Sequence, residues 1–302
     1  MDDLRLRAYA DADMPWLQAT VAGWIAGAGR CGYDHVGELP HRVYDNLRGG
    51  DPAQLVQIWE DSDGLAGIGI CLRFGSAFDL FAAPALRDGP AAERMVLAAA
   101  ATTARLAAPG EEHVLTDVFD CDTARIALLE RLGFERFRVW DDATEREIGD
   151  DLPPVVVPDG FVVRPARLSD ADGLAEARNA SFGSDWTGAQ YRAGMMQRPG
   201  YDPNREILVE APDGRIAAFT VAWVDGLNRI GHFEPVGTHA DFRRLGLARA
   251  AMAYALHGMR EQGITRATVN YNAENLPAGR LYAGLGFTKE HETYGYRRPR
   301  SF

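Results

Sequence analysis

Glu234-Pro235-Val236-Gly237-Thr238-His239-Ala240-Asp241-Phe242-Arg243-Arg244-Leu245-Gly246-Leu247-Ala248-Arg249-Ala250 carries an apolar, β-rich run through a tight turn of arginine and glycine into a long helical pattern. A helix that starts so abruptly leaves the N–H groups of its first turn without carbonyl partners, and its dipole adds partial positive charge there. Gly246 and Ala248 keep that end bare of bulky side chains, so a pyrophosphate could approach the backbone closely. Arg243 and Arg244 point the same way, because cations are disfavoured at a helix N-terminus unless an anion is held there. The stretch reads as a phosphate cradle. It lacks both the Gly-Lys-Ser/Thr of nucleotide-hydrolase loops and the Gly-x-Gly-x-x-Gly of dinucleotide-binding turns.

Downstream, Ala248, Met252, Ala255, Leu256 and Met259 recur at helical spacing, and Gly263 stands where a glycine would end the helix. Residues 264–271 return to strand character, Asn275-Leu276-Pro277 opens another helix with proline in its first turn, and Gly286-Phe287 leads into a last strand. Upstream, residues 161–164 alternate as a strand, and residues 170–180 read as a helix entered through Ser169 as N-cap. The β-rich runs 207–210 and 215–224 flank the turn Pro212-Asp213-Gly214, and 229–238 is a further strand. The order is strand, helices, antiparallel meander, helix, strand, helix, strand, which is mixed α/β.

The 302 residues suit two domains. Pro153, Pro154 and Pro158 mark a linker over residues 151–160, with domains expected at 1–150 and 161–302. The flanking halves repeat each other. Leu4-Arg5 and Asp11-Ala12-Asp13 match Val163-Arg164 and Asp170-Ala171-Asp172 at an offset of 159. Gly89-Pro90-Ala91 matches Gly246-Leu247-Ala248 at 157, and Arg131-Leu132-Gly133-Phe134 matches Gly284-Leu285-Gly286-Phe287 at 153. A period this long indicates two copies of one fold rather than a solenoid.

With 46% hydrophobic and 25% charged residues, the chain has a globular composition, which excludes disordered, collagen-like and disulfide-scaffold classes. A net charge of −11, with Lys289 the only lysine, argues against a nucleic-acid partner. Cys31, Cys71 and Cys121 have neither paired spacing nor a Cys-x-x-Cys motif, which points to a reducing compartment and away from structural zinc. The acidic start Met1-Asp2-Asp3-Leu4-Arg5 lacks a signal core and no window approaches a membrane span, so a soluble, cytoplasmic protein without a membrane partner is expected. No His/Asp/Glu cluster has metal-site spacing, so no metal is expected, and His232, His239 and His257 read as surface or packing residues. Trp16, Trp24 and Trp59 read as core.

Two motifs in register carry a resemblance. Arg243-Arg244-Leu245-Gly246-Leu247-Ala248 resembles the Gln/Arg-x-x-Gly-x-Gly/Ala acyl-coenzyme A loop of the GNAT N-acetyltransferase superfamily. Asn275-Leu276-Pro277-Ala278, Tyr282 and Gly286-Phe287 are similar to that family's later Asn-x-x-Ala, Tyr and Gly-Phe signature. With the repeat, the whole chain resembles a tandem GNAT protein, an arrangement similar to that of the mycothiol synthases. The resemblance implies an α/β (mixed) fold of two GNAT domains, each a twisted mixed β-sheet flanked by helices. It further implies an acetyl-coenzyme A (acetyl-CoA) site in the second half and direct transfer, in a ternary complex, to a primary amine of a small molecule or peptide.

Carried over by position, Val236, Gly237 and Thr238 would present backbone groups to the thioester and the pantetheine arm. The amides of Arg244, Leu245, Gly246, Leu247 and Ala248 would hold the pyrophosphate, with Arg243 and Arg244 adding charge. Asn275 would contact the cofactor chain, and Tyr282 would protonate the departing thiolate. Glu234, two residues before Val236 and on its face of the strand, is the candidate base, with His232 and His239 as rivals acting through water. Asp185 and Trp186 lie where the family binds acceptors and are candidates for recognising a cationic or flat substrate.

The first half departs from the pattern. Leu86 stands where the loop wants Gln or Arg, Pro90 removes the N–H that Leu247 supplies, Asp122 replaces Asn275 and Leu129 replaces Tyr282. An extra negative charge at Asp122 would face a cofactor, so this half reads as a degenerate copy that braces the second or walls its acceptor pocket. Two alternative functions stand beside acetyl transfer. One is an acyltransferase using another acyl-CoA, or a mycothiol-precursor or antibiotic amine as acceptor; the other is a catalytically silent CoA-binding or scaffolding protein. A monomer whose halves form a pseudo-dimer and a homodimer are both expected states.

Overall fold

The computed structural model describes residues 4–47 and 50–301, so Met1 to Asp3 of the acidic start lie outside the described residues. Two compact units are formed, Met1–Ala143 with Glu290–Phe302, and Thr144–Lys289. The first contains β1 (Arg5–Ala8), α1 (Met14–Ala28), β2 (Val56–Asp61), β3 (Gly64–Arg73), β4 (Ala77–Ala82), α2 (Gly89–Leu106), β5 (His113–Phe119), α3 (Thr123–Arg131) and most of β6 (Glu135–Glu147). β1 to β4 form an antiparallel meander, and β4 meets β5 in parallel only at Ala77 and Leu115. α2 buries Ala92, Met95, Val96, Ala99 and Ala100 at helical spacing, and the core around it holds Phe78, Leu128, Leu129 and Phe134.

The second unit holds β7 (Val162–Pro165), α4 (Ala171–Phe182), β8 (Glu206–Glu210), β9 (Ile216–Asp225), β10 (Ile230–Thr238), α5 (Leu247–Glu261), β11 (Arg266–Asn272), α6 (Leu276–Gly284) and the start of β12 (Thr288–Pro299). β7 to β10 form the same antiparallel meander, and β10 runs parallel to β11 from Ile230–Arg266 to His232–Thr268. Of the predicted α5 stripe, Met252, Ala255, Leu256 and Met259 pack with Leu247 into the core, while Ala248 is half-buried at the start of the helix. Both units are therefore mixed α/β sheets with helices packed on them, as the sequence pattern requires.

The units are not contiguous in sequence. From Thr293 to Pro299, β12 pairs antiparallel with β5 and belongs to the first unit. The end of β6 belongs to the second, where Thr144 Oγ1 donates to the Val269 carbonyl at 2.8 Å. Residues 148–161 carry no helix or strand. Leu152 and Val157 in that stretch pack on the second unit's core, and the Pro153 carbonyl meets His257 Nε2 at 3.1 Å.

Four local readings are corrected by the fold. The repeat at the chain start runs two residues out of the expected register, because Arg7 and Asp13, not Arg5 and Asp11, reproduce Arg164 and Asp170. Arg7 clamps Asp13 while reaching Glu60, and Arg164 clamps Asp170 while reaching Glu210. The N-cap position of α4 is Asp170, not Ser169, because residues 168–170 form a 3-10 turn before the helix, closed by the Asp170 carboxylate accepting the Arg167 N–H at 2.7 Å. Cys31 and Cys121 are joined as a disulfide, 90 residues apart in sequence, a pairing that linear spacing cannot show. Asp120 and His291 also lie beside the Cys121 sulfur, with donor atoms within 4.8 Å, but the bond to Cys31 removes that sulfur as a thiolate ligand. Finally, Trp59 is core and Trp24 is half-buried against Tyr33, whereas Trp16 is 38% exposed beneath the Arg7 guanidinium. Among the described residues no helix is long and apolar enough to cross a membrane.

Candidate active site

Beyond His232 and Thr268 the parallel strands β10 and β11 are no longer paired, and β10 continues to Thr238. Its pairing with β9 breaks register between Phe233 and Val236, where the Glu234–Pro235 peptide is cis and Trp223 Nε1 donates to the Glu234 carbonyl at 2.7 Å. A bulge of this kind re-aims the side chains that follow it. Gly237 is required sterically, since a Cβ there would lie 2.3 Å from the Phe219 ring.

The turn into α5 places Arg244 and Gly246 at positive φ, 66° and 77°. A Cβ on Gly246 would meet nothing within 4 Å, so the constraint there is backbone conformation, which glycine adopts without cost. Among the described residues no side chain caps α5, and its first amides stay open. Arg243 and Arg244 are exposed and make no ion pair among the described residues. Opposite them Asn275 caps α6, its Oδ1 accepting the Ala278 N–H at 3.2 Å.

Tyr282 is 6% exposed, with Tyr271 at 5.3 Å and Phe287 at 6.2 Å between ring centroids. Its hydroxyl has no hydrogen-bond partner among the described residues, yet the side chain lines an open cleft. Burial, and then the negative charge of Glu234, push the phenol well above its usual value of 10.

That cleft has a volume of about 900 Å³. Val236, Gly237, Thr238, Arg243, Arg244, Gly246, Leu247, Ala248, Asn275 and Tyr282 line it together. Leu245 is exposed outside it, and Glu234 is not in the lining although its charge reaches Tyr282. Asp185 is exposed and Trp186 packs edge-on against Tyr191, its backbone N–H donating to Asn179 Oδ1, and neither lines the cleft. Ser181 and Phe182, at the end of α4, do. Arg249, Pro277, Ala278, Arg280 and Leu281, to which the sequence analysis gave no site role, also line it. Ala278 and Leu281 were within reach, because Ala278 closes the Asn-x-x-Ala signature and Leu281, three residues on, shares its helix face. His232 is buried with Nδ1 at 2.8 Å from Thr268 Oγ1, and His239 accepts the Asp241 N–H through Nδ1.

The same elements meet in the first unit with a different outcome. Asp122 caps α3 as Asn275 caps α6, accepting the Arg125 N–H at 3.1 Å. Its other oxygen forms an ion pair with Arg87 from the loop before α2, so the charge expected to face a ligand is neutralised within the protein. Leu129, in the place of Tyr282, is sealed in the core. What remains is a cavity of about 50 Å³ lined by charged side chains.

The model of the acetyltransferase (GNAT) family matches residues 171–287. A mycothiol acetyltransferase of Nocardia farcinica is 31% identical over 231 residues, 71% of either chain. One from Thermomonospora curvata is 33% identical over 180 residues, where the match spans 57% of this chain and only 59% of that protein. Among solved structures, a GCN5-related N-acetyltransferase from Sphaerobacter thermophilus aligns with a TM-score of 0.62 at 20% identity, over 99% of this chain and 96% of that one. A tandem GNAT protein from the clavulanic acid biosynthesis pathway aligns with a TM-score of 0.65 at 14% identity over 99% of both. At these identities the structural likeness carries the fold alone.

Proposed function

The chain belongs to the GNAT acetyltransferase family, and from that premise we propose that its second unit transfers an acetyl group from acetyl-CoA to the primary amine of a small molecule or peptide. The observation that carries the reading is the buried Tyr282, whose unpartnered hydroxyl lines the same 900 Å³ cleft as the uncapped start of α5. The residues present fit the donor: open first-turn amides and the exposed Arg243 and Arg244 suit a pyrophosphate, and the conformation of Gly246 leaves the approach clear.

Acetyl-CoA would supply the acetyl thioester, whose carbonyl carbon the amine takes up as an amide while the thiol departs. Val236 would direct its backbone at the thioester carbonyl, Thr238 would align the pantetheine arm, and the Leu247 and Ala248 amides would hold phosphate oxygens. Asn275 would keep the cleft mouth uncharged while capping α6. Tyr282 holds its proton through the neutral range and would yield it from Oη to the thiolate sulfur as charge develops there. Glu234, or a water it orders, would take the proton from the attacking nitrogen. Acetyl-CoA is an intracellular metabolite, so the proposal carries a cytoplasmic location with it, where the Cys31–Cys121 bond would meet cellular reductants.

The test is thiol release from acetyl-CoA with a panel of small amines, comparing wild type with Tyr282→Phe. A kcat lower by roughly 10²–10⁴-fold with little change in KM for acetyl-CoA is expected of a lost general acid. Undiminished turnover at all pH values removes Tyr282 from the role. Donor binding without turnover of any amine would leave a silent CoA-binding protein.

A second reading concerns the acceptor. The Nocardia farcinica relative is named a mycothiol acetyltransferase, which favours an amine of the mycothiol-precursor type here too. Its kcat/KM against antibiotic amines and short peptides, and with longer acyl donors, decides between these choices.

A further inference from the structure

The first unit's cavity holds two groups of opposite charge that the protein leaves poorly matched. Arg125, in the first turn of α3, lines the cavity and is 8% exposed. Its guanidinium makes no hydrogen bond and no ion pair among the described residues; Asp122 and Asp79 act on it only at longer range. Burial lowers it to about 10, so it stays charged at neutral pH. Asp117, on β5 and in the same lining, has one ion pair among the described residues, at 3.9 Å to Arg73.

The neighbouring charges are better matched. Arg42 pairs with Asp34 at 2.9 Å and with Asp79 at 3.0 Å. Arg73 also pairs with Asp79, and Arg87 with Asp122. A buried guanidinium without a counter-ion is costly unless something else supplies the anion. The matching position in the second unit is Ala278, whose N–H likewise bonds the capping side chain; there the side chain leaves the cleft open, and here Arg125 occupies it.

We propose that the first unit's cavity binds a small zwitterion of the amino-acid type, its carboxylate on the Arg125 guanidinium and its ammonium on Asp117. A lone anion would face the carboxylates of Asp34, Asp79 and Asp117, and a lone cation would face Arg125, so neither charge alone suits the lining. The volume of about 50 Å³ corresponds to about four water molecules, which limits the ligand to the size of glycine or alanine.

The experiment is calorimetric titration of the full chain at pH 7 with glycine, acetate and methylammonium. Saturable glycine binding is expected, at least ~10-fold tighter than either half-ligand, a difference of ~1.4 kcal/mol. Arg125→Gln is expected to abolish it while leaving acetyl-CoA binding unchanged, and Arg125→Lys, which keeps the charge without the fork, to weaken it about 10-fold. The comparison of the three ligands on wild type stands even if a variant fails to fold. Absence of glycine binding, acetate or methylammonium binding as tightly as glycine, or glycine binding that survives Arg125→Gln would each overturn the proposal.

Discussion

The two units build the same cleft from the same parts, a pair of parting parallel strands, a loop into a long helix and a side-chain-capped short helix, yet one is about 900 Å³ and the other about 50 Å³. The loop backbone differs, since Arg244 turns at φ 66° where Arg87 is helical at φ −79° and Pro90 lacks the N–H of Leu247. Four side-chain positions differ with it: Tyr282 against Leu129, Asn275 against Asp122, Ala278 against Arg125, and the exposed Arg244 against Arg87, which is tied to Asp122. A cleft can be closed from within by ion pairs while its frame is retained, and the frame alone is poor evidence of a working site.

Giving the second cleft the first one's residue should have the largest effect. Tyr282→Leu is expected to lower kcat by ~10²–10⁴-fold, read by thiol release, whereas Asp122→Asn, which gives the first cleft the second one's cap, should leave turnover unchanged. If both variants alter turnover, the clefts are not functionally distinct.

The charged filling of the first cleft should show in pH-dependent stability. Burial, and then the charge of Asp79, push the Asp117 carboxyl up to about 6. A carboxyl raised in the folded state contributes stability that is complete below its unfolded value of ~3.9 and is lost as pH rises through about 6. Between pH 4 and pH 7 this group should lower stability by up to ~3 kcal/mol, because each tenfold weakening of its ionisation on folding corresponds to ~1.4 kcal/mol. Urea denaturation of Asp117→Asn should give a correspondingly flatter profile, and an unchanged slope would show that Asp117 is not held in this way.

The cap offers a smaller contrast. Asn275→Asp should keep α6 capped, because aspartate caps as well as asparagine. It should nevertheless weaken acetyl-CoA binding by about 10-fold, since Arg244, at the position of Arg87, is exposed and not tied to the cap as Arg87 is to Asp122. The smallest effect should be shared by both units. In Asp13 and Asp170 burial works against the charge, but hydrogen bonds from Arg7 and Arg164 and from backbone N–H groups outweigh it and hold both carboxyls below the usual range. Each therefore contributes stability above pH ~4 that fades as pH falls further. Asp13→Ala and Asp170→Ala should each cost ~1 kcal/mol at pH 7 and nearly nothing near pH 2, by denaturant titration. Unequal losses would mean that the clamp is not a common part of the two folds.

Local signals made most of the frame legible. The glycine and arginine turn before Leu247, the capping Asn275 with Pro277, and the Met252 to Met259 stripe each act within a few residues, and all recur in the structure. The decisive contacts of the first unit are tertiary. Arg87 meets Asp122 across 35 residues, Cys31 meets Cys121 across 90, and β12 returns to pair with β5. Nothing in local composition marks such pairs. The side chains beside the cleft were not legible for a related reason: Trp186 packs against Tyr191, and Phe182, which no motif marks, lines the cleft.

The stoichiometry of acetyl-CoA binding to the full chain, by calorimetry, tests the contrast most directly. One site is expected, lost in Gly246→Asp, where an added carboxylate would oppose the pyrophosphate, and retained in Gly89→Asp in the first unit. Two sites, or one site that survives Gly246→Asp, would contradict the assignment of the donor cleft to the second unit.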